Sequence, residues 1–133
     1  MTLTGRYLLD TNILIALLAA EPNVVERIRS AEAVFVPVIA LGELYYGARH
    51  SARVSENVER VAQLAATAAV VLCDLATAAL YGDVKARLRA KGTPIPENDL
   101  WIAALARQHR LTVASRDEHF DAVPGLDVER WDA

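Results

Sequence analysis

A single cysteine in 133 residues, Cys73, rules out an intramolecular disulfide, and alone it cannot hold zinc. It ends the apolar run Val70-Val71-Leu72-Cys73, so the thiol is expected to be buried as a small hydrophobe. No apolar stretch approaches the roughly 18 residues of a membrane helix. Met1 to Arg6 lacks the long apolar core of a signal peptide. There is no glycine-rich phosphate loop, no GxSxG elbow and no CxxC pair, so nucleotide-cradling, serine-hydrolase and dithiol chemistries lack their usual marks. Linkers, low-complexity tracts and internal repeats are missing too. Hydrophobic residues make up 53% of the chain, enough for a real core and far from a disordered composition. One domain spanning residues 1–133, in the cytoplasm, is the expectation.

Basic surplus is also missing. The net charge is −3, which weighs against a generic nucleic-acid binder. Four acids singled out below outweigh that whole charge, however, and bound cations would neutralise them. The acidic balance therefore does not exclude an RNA substrate.

What is present is an alternation of strand-like and helix-like segments. Strands are predicted at Arg6–Leu9, Ala33–Val36, Val70–Leu72, Leu111–Ser115 and Leu126–Val128, from β-branched and apolar runs bounded by turn residues. Helices are predicted at Ile13–Ala20, from Pro22 and Asn23 to Ile28, and at Val38–His50, Val54–Ala69 and Ala76–Lys91. Another, with Asp99 in its first turn, runs to His109, and Asp117–Phe120 reads as a short turn of helix. On the Ala76–Lys91 helix, Ala79, Leu80, Val84 and Leu88 share a face, and Gly92 supplies the C-terminal stop. Strands alternating with helices imply a parallel sheet covered on both faces. Ligands of such sheets bind beyond the carboxyl ends of strands, where strand order reverses.

Four carboxylates sit in apolar settings. Asp10 ends the first strand, Glu43 interrupts Val38-Ile39-Ala40-Leu41-Gly42-Glu43-Leu44, Asp99 heads Leu100-Trp101-Ile102-Ala103-Ala104, and Asp117 follows the fourth strand. An isolated carboxylate in such surroundings is costly unless it is paired, protonated or metal-bound. If the four converge, they form an oxygen-ligand site for Mg²⁺ or Mn²⁺, suited to phosphate chemistry. Each has an ordinary alternative. Asp10 or Asn12 can cap the first helix, Glu43 can be a surface residue, Asp99 can complement a helix dipole, and Asp117 can be a turn residue with Asp121 as competitor. Gly42 and Gly47 weaken the helix around Glu43, a cost that close packing or ligand access would offset. Ser115 and Arg116 could orient water or phosphate, or Arg116 could merely balance the acids. His50, His109 and His119 read as solvated residues near helix ends. Lys85 and Arg89 share one helix face and Arg87 and Lys91 another, as ordinary solvated charge would.

The combination of blocks resembles the PIN-domain nucleases, and within them the VapC-type ribonuclease toxins of toxin–antitoxin pairs. The resemblance runs from Leu8-Leu9-Asp10-Thr11-Asn12 through Ile39-Ala40-Leu41-Gly42-Glu43-Leu44 and Asn98-Asp99-Leu100-Trp101-Ile102-Ala103-Ala104 to Ser115-Arg116-Asp117, with Phe120 and Val123-Pro124-Gly125-Leu126 closing it. It implies a three-layer α/β/α fold with a parallel sheet of order 3-2-1-4-5. It also implies catalytic and metal-binding roles for Asp10, Glu43, Asp99 and Asp117, and positioning roles for Asn12, Ser115 and Arg116. The expected activity is Mg²⁺- or Mn²⁺-dependent RNA cleavage leaving a 5′-phosphate and a 3′-hydroxyl. The expected partners are a VapB-like antitoxin and a second copy of the chain in a homodimer. The antitoxin would dock between the helices bearing Leu14, Leu17, Leu18, Val24 and Ile28 and the one bearing Leu41, Leu44 and Tyr45. Two other classes stay open: a phosphatase or phosphotransferase with Asp10 as nucleophile, and a non-catalytic metal-binding module.

Overall fold

The computed structural model describes residues 5–132. Residues 1–4, on which much of the leader reading falls, lie outside the described residues. Five parallel strands form one sheet in the order β3-β2-β1-β4-β5. They are β1 (Arg6–Leu9), β2 (Ala33–Pro37), β3 (Val70–Val71), β4 (Thr112–Ser115) and β5 (Val128–Arg130). The helices are α1 (Thr11–Leu18), α2 (Pro22–Ser30), α3 (Val38–Arg49), α4 (Val54–Thr67), α5 (Leu75–Lys91) and α6 (Glu97–His109), with a 3₁₀ turn at His119–Ala122. No described helix is long and apolar enough to cross a membrane.

Alternation along β1 sorts the core into two layers. Tyr7 and Leu9 face α1 to α4, where Ile13, Leu14, Val24, Leu41, Leu44 and Val61 are buried with Trp131. Leu8 faces α5 and α6, where Val84, Leu88, Ile102, Leu105 and Phe120 are buried. β4 repeats the pattern, with Ala114 on the first side and Val113 on the second. The result is the three-layer α/β/α sandwich, with β1 central and buried on both faces.

Strand order reverses between β1 and β4. Leu9 pairs with Ala114, and the Asp10 amide continues the ladder by donating to the Ala114 carbonyl at 3.0 Å. Asp10 and Ser115 therefore emerge side by side at the carboxyl ends of neighbouring strands, where the sheet opens for a ligand.

Several boundaries differ from expectation. The third strand stops at Val71, and because β3 lies at the sheet edge, the chain leaves the core at once. Leu72 is 65% exposed and Cys73 is exposed as well, correcting its expected burial. Asp74 then caps α5 by accepting from the Thr77 amide. Thr77 replaces Ala79 on the buried face of α5, its hydroxyl donating to Asp74 and Gln108. The fifth strand lies two residues later than predicted, at Val128–Arg130, because Leu126 and Asp127 complete the turn after Gly125. Gly92 closes α5 in the left-handed region at φ 74°, as its position at the end of the helix required.

Phe120 is fully buried and anchors the turn that follows Asp117. Phe120→Ala is expected to lower stability by about 3–5 kcal/mol. Leu75→Ala, at a side chain 91% exposed, should change it by less than about 0.5 kcal/mol. Urea denaturation followed by circular dichroism measures both.

Candidate active site

Asp10 is the buried centre of the site, only 5% exposed. Its non-helical backbone puts it at the N-cap of α1, where Oδ1 accepts from the Thr11 amide at 2.8 Å. Oδ2 accepts from the Ser115 hydroxyl at 2.7 Å. The capping reading and the site reading of Asp10 thus describe one residue. Ser115 is completely buried and serves three neighbours. Besides donating to Asp10, its oxygen accepts from the Asp117 amide at 2.9 Å and lies 3.4 Å from the Asn12 amide nitrogen. The Asn12 carbonyl oxygen accepts from the Arg116 amide at 3.3 Å. These bonds tie the loop after β4 to the start of α1 and fix Asp117 relative to Asp10.

Glu43, on α3, accepts from the Thr11 hydroxyl at 2.7 Å. Asp99, in the first turn of α6, is held beneath the 3₁₀ turn. The His119 imidazole Nδ1 lies 2.9 Å from its Oδ2 and 3.0 Å from Asp117 Oδ1. Ile102, Ala103 and Ala106, on the same face as Asp99, are buried as expected.

The acids feel one another. The Asp10 carboxyl is pushed up to about 6, chiefly by burial, with the charges of Asp99 and Glu43 adding to the rise and the Ser115 and Thr11 bonds opposing it. Asp99 is also raised, first by burial, with Asp117 and Glu43 adding to the rise and His119 opposing it. These mutual effects put Asp10 near Asp99 and Glu43, and Asp99 near Asp117 and Glu43. Among the described residues, no cationic side chain hydrogen-bonds or pairs with Asp10. A buried, uncompensated carboxylate facing other carboxylates fits a cation site, and oxygen donors suit Mg²⁺ or Mn²⁺. Asp99, Asp117 and His119 each bring one ligand atom within 4.8 Å of the others.

Two residues differ from their sequence reading. The Arg116 guanidinium turns away from the acids: it pairs with Glu21 at 2.8 Å and donates to the Trp131 carbonyl at 2.9 Å. Its role here is to anchor the loop rather than to orient phosphate. His119 was read as a solvated helix-end residue, yet it bridges two of the four acids. The available signal was its place two residues after Asp117, with Phe120 beside it to bury the turn. Thr11, which lies between the two capping candidates Asp10 and Asn12, holds Glu43 through its hydroxyl.

Beside Glu43 runs a groove of about 330 Å³ lined by Ile15, Leu18, Leu44, Gly47, Arg60 and Val61, among others. Leu14, Leu41 and Val24 contribute nothing to it, being consumed by the core. Apart from chain neighbours and the backbone of α3 itself, no described heavy atom lies within 4 Å of where a Cβ would stand on Gly42 or Gly47. Access, rather than close packing within the chain, accompanies these glycines.

Asp10 makes the site's stability pH-dependent. Its folded carboxyl keeps a proton up to about 6 whereas the ordinary value is 3.8. The native state thus binds more protons in that window, and stability falls as pH rises through it. The loss amounts to about 3 kcal/mol for this group. Without divalent cations, Asp10→Asn should gain on the wild type between about pH 4 and pH 7, with most of the gain below about pH 6. Chemical denaturation at both ends measures this, and equal differences at the two pH values would contradict it.

Comparison with known proteins agrees with this geometry. The PIN domain family matches residues 7–126. Ribonuclease VapC2 of Haemophilus influenzae is 33% identical over 129 residues, covering 95% of this chain and 98% of that protein. The tRNA(fMet)-specific endonuclease VapC of Salmonella typhimurium is 30% identical over 129 residues, with the same coverage of 95% and 98%. The crystal structure of DNA-bound VapBC from Salmonella typhimurium superposes with a TM-score of 0.88 at 30% identity, covering 97% of this chain and 100% of that one. This chain belongs to the PIN-domain family and, within it, to the VapC-type proteins.

Proposed function

We propose that this protein is a metal-dependent endoribonuclease and the toxin of a toxin–antitoxin pair. The observation that carries the reading is buried Asp10 at the point where strand order reverses, within reach of the charges of Glu43 and Asp99, with Asp99 in turn facing Asp117. VapC-type relatives named as ribonucleases support it.

Mg²⁺ or Mn²⁺ held by the four acids would lower the pKa of a bound water and offset charge on the phosphate under attack. The chain's own residues do the positioning. Ser115 and the Thr11 amide fix both oxygens of Asp10. Thr11 fixes Glu43, and Asn12 with Ser115 holds the loop that carries Asp117. Arg116 anchors that loop through Glu21. RNA is then cleaved to a 5′-phosphate and a 3′-hydroxyl.

A phosphotransferase with Asp10 as nucleophile would carry a second Asp two residues on, and that position is Asn12, whose side chain is engaged with Ser115 and Arg116.

The partner of this proposal is a VapB-like antitoxin. The groove beside Glu43 is mostly apolar and ends on an acid, which suits an amphipathic segment carrying one basic side chain. A homodimer in the cytoplasm completes the picture, with the exposed apolar side chains of Tyr46 and Leu72 available for contact.

Asp99→Asn keeps the shape of the side chain and removes its charge. In Mg²⁺ this variant, folded by circular dichroism, should cleave a mixed RNA substrate at least about a hundredfold more slowly, since it loses electrostatic support in the transition state. Cleavage at the wild-type rate would reject the proposed site.

A further inference from the structure

His119 is the one element of the acid cluster that a carboxylate-only metal site leaves without a use. It lies on the 3₁₀ turn His119–Ala122, pinned by buried Phe120. Its backbone amide donates to Asp117 Oδ1 at 3.0 Å. Its ring nitrogen Nδ1 sits 2.9 Å from Asp99 Oδ2 and 3.0 Å from Asp117 Oδ1. Adjacent ligands of an octahedral ion with bonds near 2.1 Å are about 3 Å apart. The imidazole nitrogen therefore already stands at adjacent-ligand spacing from two carboxylate oxygens.

We propose that His119 is a nitrogen ligand of the metal centre, completing with Asp99 and Asp117 a mixed nitrogen–oxygen site that favours transition-metal ions over Mg²⁺. The inference rests on the metal-dependent reading above and adds a ligand to it. With a cation bound, Nδ1 would offer its lone pair, so the ring would carry its single proton on Nε2. Oxygen-only sites suit Mg²⁺, which holds its oxygen ligands and waters tightly, whereas imidazole belongs with first-row transition ions. Mn²⁺, and Co²⁺ more strongly, should therefore gain from His119, while Mg²⁺ should be nearly indifferent to it.

The alternative role is charge balance, in which a protonated ring offsets Asp99 and Asp117 and moves aside for the ion. Mn²⁺ electron paramagnetic resonance separates the two without any reaction. Pulsed measurement on the Mn²⁺-loaded protein should show ¹⁴N coupling from a directly bound imidazole. His119→Gln should abolish that coupling, and His109→Gln, at the far end of α6, should retain it. Calorimetry should show Mn²⁺ binding weakened at least about tenfold by His119→Gln and Mg²⁺ binding changed by less than about threefold. His119 is 44% exposed, so the variant should fold, and circular dichroism checks it. Bound Mn²⁺ with no nitrogen coupling, or coupling that survives in His119→Gln, overturns the inference and leaves the acid site standing. Failure of Mn²⁺ to bind the wild type at all would remove the acid site together with its histidine.

Discussion

Burying Asp10 without a cationic partner is the constraint from which the rest of this architecture can be understood. A lone carboxylate in that position would take up a proton or drive local unfolding. Burial is the main reason its carboxyl rises to about 6, and the charges of Asp99 and Glu43 add to the rise. What keeps the arrangement in place is rigid scaffolding. Both oxygens of Asp10 are hydrogen-bonded, Ser115 is entirely enclosed, and the strands that deliver the two residues are neighbours in register. The charge conflict is stored in the folded chain, and under the proposed function a divalent ion would relieve it, coupling cation binding to folding stability.

The two core layers supply that rigidity from opposite sides. Leu8 and Leu9 point to opposite faces of the central strand, so Asp10 stands at the end of a strand buried on both sides. Glu43 arrives from α3 in one layer and Asp99 from α6 in the other, while Asp117 and His119 come from the turn that Phe120 locks down. The site thus draws on both helical layers and on the sheet between them. An error in strand order or in the burial of the 3₁₀ turn would separate the acids.

Much of this was readable in the amino-acid order because the physics is local. Apolar alternation in Arg6–Leu9, the stop at Gly92 and the misplaced acids Asp10, Glu43 and Asp99 depend only on near neighbours. The sheet order was implied by the family resemblance, and the structure has that order. The failures are non-local. Cys73 looked buried because its neighbours are apolar, but β3 is an edge strand and ends early. Arg116 looked like a phosphate ligand until Glu21, 95 positions away in the chain, took its guanidinium. His119 looked like a surface residue because its meeting with Asp99, 20 positions earlier, is made only by the packing of α6 beneath the turn.

The central claim is that the four acids share one cation site and that Asp10 carries the strain of its absence. Carbon-13 resonance of the Asp10 side-chain carboxyl, followed through a pH titration, tests it directly. Without divalent ions the titration should centre near the raised value of about 6. Millimolar Mg²⁺ or Mg²⁺-like diamagnetic ions should drive it below the ordinary carboxylate range, because the bound cation favours the charged form. An Asp10 carboxyl that titrates at the same raised pH with and without the ion would contradict the account.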